Sequence, residues 1–246
     1  GRDNHRTILD RALEGLVPVL GHVPRDAGLA LPERHLGLVQ ASERLDLEQF
    51  LDQAGSIVAR SVDLDALARL ARKPGLDRME QNSPALAPLG QRIALARDTA
   101  FAFAYPSLLD GWRRVGAELL PFSPLNDEGP DASADAVYLP GGYPELHAAR
   151  LAANDRFLEG LRAATARDAV VFGECGGFMV LGERLIDAEG ESHAMANLLP
   201  VATSFSAPRL HLGYRRFTQT RETFLGPANA AFRGHEFHYA RLVRQR

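Results

Sequence analysis

Residues Val170–Gly182 read VVFGECGGFMVLG. An apolar run enters this stretch and a helix-like run leaves it. Between them sits the only cysteine of the chain, Cys175, in the pattern Gly173-Glu174-Cys175-Gly176-Gly177. G-x-C-x-G is the cysteine version of a nucleophile elbow, the sharp strand-to-helix turn that projects a reactive atom out of a sheet. The glycines permit backbone to crowd the reactive side chain, where a Cβ would clash. The helix that follows is expected to aim free N–H groups at the sulfur, lower its pKa and favour thiolate. The Gly176 N–H is then a candidate oxyanion donor. The competing reading is a small buried hydrophobe, the usual state of an unpaired cysteine.

Working outward, a second glycine turn, Leu139-Pro140-Gly141-Gly142-Tyr143-Pro144-Glu145, closes the run DAVYLPGG. In a parallel sheet both turns lie at carboxyl ends of strands, where sites gather. Gly142 is therefore the candidate second oxyanion donor, although a plain strand-to-helix turn also reads this way. Strand and helix patterns alternate from Arg92 onward: RIALARD, a helix over PSLLDGWRRVGAELL, DAVYLPGG, a helix over AARLAANDRFLEGLRAATAR, DAVVFGE, and the helix opened by Cys175. This alternation predicts an α/β fold with a mostly parallel sheet covered by helices on both faces. Short strands and tight turns follow from about Asp187.

A thiolate needs a base. Of eight histidines, His235 and His238 lie in FRGHEFHYAR, a strand-like run. Alternation places Glu236, His238 and Ala240 on one face and His235, Phe237 and Tyr239 on the other. No metal site is expected, because a strand spacing of three separates the two rings and no third ligand is evident.

The first 72 residues read as a helix over NHRTILDRALEG, a buried strand over VPVLGHVP, and two amphipathic helices capped by Ser42 and Ser61. They look like the end of an α/β domain. Residues 73–91, with three prolines and little periodicity, read as a linker.

The 246 residues carry a formal net charge of −3 and no polybasic run, which argues against nucleic acid. One cysteine rules out an internal disulfide and fits a reducing, cytoplasmic setting. No apolar run nears the roughly 18 residues that span a bilayer. The first residues lack a signal-peptide profile and an initiator Met, so a fragment, a processed product or a trimmed chain is expected.

Together these pieces resemble the class I glutamine amidotransferases. Closer still, YLPGGYPELHAARLA, FGECGGFMVLGERL, HLGYRRF, RGHEFHYAR and RIALARDTAFAFAYPSLLDGWRRVGAELLPFSPLND resemble the glutaminase domain of cobyrinic or hydrogenobyrinic acid a,c-diamide synthases. PVLGHVPRDAGLALPERHLGLVQASE resembles the end of their synthetase domain. The resemblance implies three parts: 1–72 as the tail of a P-loop synthetase domain, 73–91 as linker, and 92–246 as amidotransferase. It implies Cys175 as nucleophile, His238 as base, and Gly142 and Gly176 as oxyanion donors. The acidic residue that most class I relatives carry two positions after the histidine is Ala240 here. Glu236 is a substitute orienting acid. Asp98, Tyr143 and the aromatic residues Phe101, Phe103 and Tyr105 are candidates for the substrate side, with an ordinary half-buried strand as the rival reading.

Glutamine and a corrin are the implied substrates and the synthetase domain the implied partner. ATP and Mg²⁺ belong to the parent enzyme, since this chain has no G-x-x-x-x-G-K-[ST] and its sole lysine, Lys73, follows no glycine-rich loop. A different Cys-His hydrolase of the same topology, or a non-catalytic corrinoid-binding domain, are the alternatives.

Overall fold

Apolar residues Ile8, Leu9, Ala12 and Leu13 recur at helical spacing, and helix α1 spans Arg2–Leu13. Gly15, at φ +75°, stands just beyond its end. The computed structural model describes residues 2–34, 37–72 and 86–243. They fall into two units, Gly1–Gln81 and Asn82–Arg246.

In the first unit, α1 is followed by the short strands β1 (Glu33–Arg34) and β2 (Gly37–Leu38) and the helices α2 (Leu47–Ser61) and α3 (Leu64–Leu70). Three expectations are corrected here. VPVLGHVP is no buried strand: Val17, Val19 and Val23 are exposed, and the run makes one isolated bridge, Gly21 to Val62. A strand flanked by Pro18 and Pro24 has few N–H groups to offer a ladder, and among the described residues its backbone meets the α2–α3 junction rather than another strand. Ser42 sits in a 3₁₀ turn, and Asp46 holds the N-cap position of α2. Ser61 ends α2, while Asp63 caps α3 by accepting from the Ala66 N–H at 2.8 Å.

Of the expected linker, residues 73–85 lie outside the described residues. Leu89 is buried, and the Leu86 carbonyl accepts from the Trp112 indole N–H at 3.2 Å, so residues 86–90 belong to the second unit.

That unit opens with β3 (Arg92–Ala96), α4 (Pro106–Arg114), β4 (Glu118–Phe122), β5 (Ala136–Leu139), α5 (Ala148–Ala152), α6 (Asp155–Ala166), β6 (Val170–Gly173) and α7 (Gly176–Leu181). The four strands pair in parallel in the order β4-β3-β5-β6. Pro106 suits the first turn of α4, where its missing N–H costs nothing. The helix expected to reach Leu120 stops at Arg114, because Gly116 takes φ +97° and the chain reverses into β4. The single helix expected over 148–167 is two, broken at Asn154, whose side-chain amide donates to the Pro124 carbonyl at 2.7 Å.

Alternation along the strands feeds two cores. Ile93, Leu95, Ala136 and Tyr138 pack with Leu109 and Trp112 of α4. Ala94, Ala96, Val137 and Leu139 pack with Leu151, Phe157, Leu161 and Val180 of α5, α6 and α7. Helices thus cover both faces, as the near-continuous apolar strands require.

The remaining strands are β7 (Arg184–Ile186), β8 (Ser192–Ala194), β9 (Ala202–Ser204), β10 (His211–Thr218), β11 (Ala231–His238) and β12 (Arg241–Val243). Among the described residues they form a mixed sheet, β12-β9-β7-β8, and an antiparallel hairpin, β10-β11. No helix of the described residues is long and apolar enough to cross a membrane.

Candidate active site

Cys175 stands between β6 and α7 with φ +47° and ψ −108°. A residue with a side chain is held there at a cost of about 1–3 kcal/mol, and only because its surroundings fix it. Here they do. The Glu174 N–H donates to the Leu139 carbonyl at 3.0 Å, and the Glu174 carbonyl accepts from the Gly177 N–H at 2.8 Å. A Cβ on Gly177 would lie 2.0 Å from the Leu139 oxygen, so only glycine lets the mouth of α7 seat on the end of β5. The buried Tyr138 hydroxyl donates to Glu174 Oε2.

The second glycine turn meets the first. A Cβ on Gly142 would sit 2.0 Å from the Ala100 carbonyl oxygen, which accepts from the Tyr143 N–H at 3.0 Å. The Phe103 N–H donates to the Gly141 carbonyl at 2.9 Å. These loops leave β3 and β5, the strands between which the order of the parallel sheet reverses. The Gly142 nitrogen lies 3.2 Å from where a Cβ on Gly176 would be. Among the described residues, neither Gly142 nor Gly176 donates its N–H to a backbone acceptor. The Gly176 N–H is directed at the Cys175 sulfur and the Gly142 nitrogen stands close to Gly176, an arrangement that suits an oxyanion.

The thiol itself departs from expectation. Its side chain reaches solvent, yet the protein around it desolvates the sulfur, and the carboxylates of Glu145 and Glu174 add to the effect. The pKa is raised, not lowered. The Gly176 N–H pulls the other way, but α7 has only six residues and supplies a weak dipole.

His238 lies at the end of β11. Its Nδ1–H donates to the Ala240 carbonyl at 2.9 Å, and its Nε2 faces Glu236 Oε1 at 3.0 Å. Glu236 also pairs with Arg215 across the hairpin. The His238 hydrogen bond, with help from Arg215, holds the Glu236 carboxyl below its ordinary value. His211, the register partner of His238, stacks on it at 4.8 Å with an interplanar angle of 13°. His235 faces the other way, beside Tyr214. The alternation read from the sequence therefore holds. Among the described residues, however, no hydrogen bond joins His238 to Cys175.

Asp98 is held by the segment after β4, and Tyr143 is buried. Asp98 Oδ2 accepts from the Ser123 hydroxyl (3.0 Å) and the Leu125 N–H (2.8 Å), and Oδ1 from the Ala100 N–H (2.9 Å). Tyr143 is 1% exposed, its ring edge-on to Phe103. Phe101 is wholly buried against Phe157, whereas Phe103 and Tyr105 reach the surface.

Residues 92–246 match the family model of the CobB/CobQ-like glutamine amidotransferase domain. The chain belongs to that family. It is similar to proteins named hydrogenobyrinate a,c-diamide synthase: 54% identical over its whole length to the one from Brucella anthropi, 53% to the one from Brucella abortus, and 51% over 99% of its length to the one from Rhizobium meliloti. The chain spans 56% of the length of each of these relatives. In this amidotransferase domain the parallel sheet and the glycine elbow expected from the sequence are both present.

Sequence reasoning missed two features of the domain. Glu174 fills the variable position of G-x-C-x-G, yet the Tyr138 hydroxyl, from the neighbouring strand β5, ties it down. His211 carries no local signal, because only the β10–β11 register brings it to His238. His211, Glu236 and His238 each offer a ligand-capable atom, all within 4.8 Å of one another.

Proposed function

We propose that this chain is the glutamine-hydrolysing part of an a,c-diamide synthase acting on a corrin polycarboxylate. The observation that carries this reading is the strained Cys175 in its glycine elbow, set against the Gly142 turn inside the family-matching region.

Cys175 Sγ attacks the side-chain carbonyl carbon of glutamine. The Gly142 and Gly176 N–H groups hold the oxyanion. His238 carries the thiol proton to the departing nitrogen, the C–N bond breaks, and ammonia and a glutamyl thioester form. Water then attacks the thioester, returns the proton to sulfur and releases glutamate. To carry that proton, His238 exchanges Glu236 for the sulfur. Glu236 thus orients the ring at rest. A thiol kept protonated and a base kept on a carboxylate describe a resting glutaminase, which avoids releasing ammonia with no acceptor present.

The relatives' name favours hydrogenobyrinate over a cobalt-containing corrin as the acceptor. Residues 1–72 are read as the end of the synthetase part. Their exposed apolar side chains, such as Leu16, Leu45 and Leu67, suit a segment that packs on more protein. The ATP- and Mg²⁺-dependent step belongs to the whole protein. The residues here do not fit a nucleotide site, for no G-x-x-x-x-G-K-[ST] occurs. A cytoplasmic setting is part of this reading, because a free thiol nucleophile needs a reducing compartment.

The test is glutamate release from glutamine by the purified chain, with and without a separately made synthetase part, ATP and hydrogenobyrinate. Turnover lost in Cys175→Ser and His238→Ala and stimulated by the added part supports the reading. No turnover in the complete mixture overturns it, and a non-catalytic corrinoid-binding role takes its place.

A further inference from the structure

The hairpin motif HLGYRRF has no part in the glutaminase steps, yet it places His211 directly across from His238. We propose that His211, Glu236 and His238 form a binding site for one zinc-class divalent cation, and that loading it withdraws His238 from the glutaminase. The second clause rests on the reading of His238 as proton carrier. The first does not.

The ligand set is two imidazoles and one carboxylate, the combination that leaves a fourth zinc position open to water. Their ligand atoms lie within 4.8 Å of one another. Two of them, His238 Nε2 and Glu236 Oε1, are 3.0 Å apart. Ligands about 2.0–2.1 Å from a tetrahedral zinc sit roughly 3.3 Å apart, so this edge of the tetrahedron already exists. His211 lies within 4.8 Å of the other two, so a closure of at most about 1.5 Å completes the set.

The surroundings also suit a metal. The Nδ1–H of His238 is held by the Ala240 carbonyl, which fixes the tautomer and leaves Nε2 for the cation. Arg215 engages the other Glu236 oxygen, so the carboxylate would bind through one oxygen while Arg215 orients it. The cation charge opposes Arg215, and the carboxylate between them screens it. All three ligands are partly buried. Two nitrogen donors select against Mg²⁺ and Ca²⁺, which prefer all-oxygen sets. His238 has one nitrogen left for chemistry, and the cation takes it.

The experiment uses the untagged chain. Co²⁺ is titrated as a visible-absorbing stand-in for Zn²⁺, and Zn²⁺ is measured by competition with a chelating dye. One equivalent is expected to bind, and binding is expected to weaken roughly 100-fold or more in both His211→Ala and His238→Ala. His235→Ala, on the opposite face of the same strand, and Cys175→Ser are expected to bind as the parent does. Circular dichroism and Tm identify any variant that fails to fold, and Glu236→Gln then serves as the second ligand variant. No binding below about 0.1 mM, or binding unchanged in His211→Ala, overturns the site. So does binding that disappears in Cys175→Ser. In the activity arm, Zn²⁺ at one equivalent is expected to stop glutamate release and a chelator to restore it. Metal binding with intact ligand dependence in a chain without glutaminase overturns the functional reading alone.

Discussion

Tyr138, buried in β5, donates its hydroxyl hydrogen to the carboxylate of Glu174, the residue that immediately precedes Cys175. Glu174 directly follows β6, and within the β5–β6 pair Tyr138 lies opposite Phe172 and stacks on its ring at 5.9 Å. Burial and the Glu174 charge push the tyrosine well above its ordinary value, so it remains a donor. Tyr138→Phe removes this charge-assisted bond and is expected to lower stability by about 1.5–3 kcal/mol, read from urea midpoints at unchanged slope. A midpoint within error of the parent would remove this tie from the account of the elbow.

The elbow also depends on close backbone approach. Gly177→Ala and Gly142→Ala each bring a Cβ to 2.0 Å from a carbonyl oxygen, of Leu139 and Ala100 respectively. Backbone cannot retreat as a flexible side chain does. Each substitution is expected to cost about 3 kcal/mol or more, or to prevent folding. Thermal unfolding checks this.

Strain at Cys175 predicts opposite effects on stability and activity. Cys175→Gly accepts φ +47° and ψ −108° without a Cβ. It is expected to raise stability by about 1 kcal/mol while abolishing glutamate release. A loss of stability would place the strain elsewhere.

The raised thiol has a pH consequence. A group whose pKa is raised holds its proton to higher pH, so the thiolate fraction at neutrality is smaller than for an ordinary cysteine. Alkylation of Cys175 by iodoacetamide is expected to rise with pH and to reach half-maximum above the ordinary thiol value of about 8.5. Glu174→Gln removes one of the two nearby carboxylates, so its midpoint is expected to move down. An upward movement would contradict the electrostatic cause.

Much of this was legible in the sequence. β3, β5 and β6 were written by apolar runs, and Gly173 to Gly177 announced the elbow. Glu236 and His238 share a face because strand alternation is exact in parity. What escaped depends on three dimensions. The direction of the thiol shift is set by desolvation, with Glu145, thirty residues from Cys175 in the chain, adding to it, and composition reveals neither. His211 joins His238 only through hairpin register. VPVLGHVP has the length of an apolar strand, but a strand needs a neighbouring strand, and among the described residues its backbone meets the turn Ser61 to Asp63 instead. The overlong helix at 106–120 came from counting apolar spacing through Gly116, whose positive φ ends it.

The central claim is that Cys175 is the atom that attacks glutamine. The most direct measurement is covalent trapping with a chloroketone analogue of glutamine, followed by mass spectrometry of the digested chain. The account predicts one adduct, on the peptide that contains Cys175, formed more slowly when glutamine is present and absent in Cys175→Ser. An adduct on Cys175 that glutamine does not slow, or none at all under conditions where the chain releases glutamate, would contradict it.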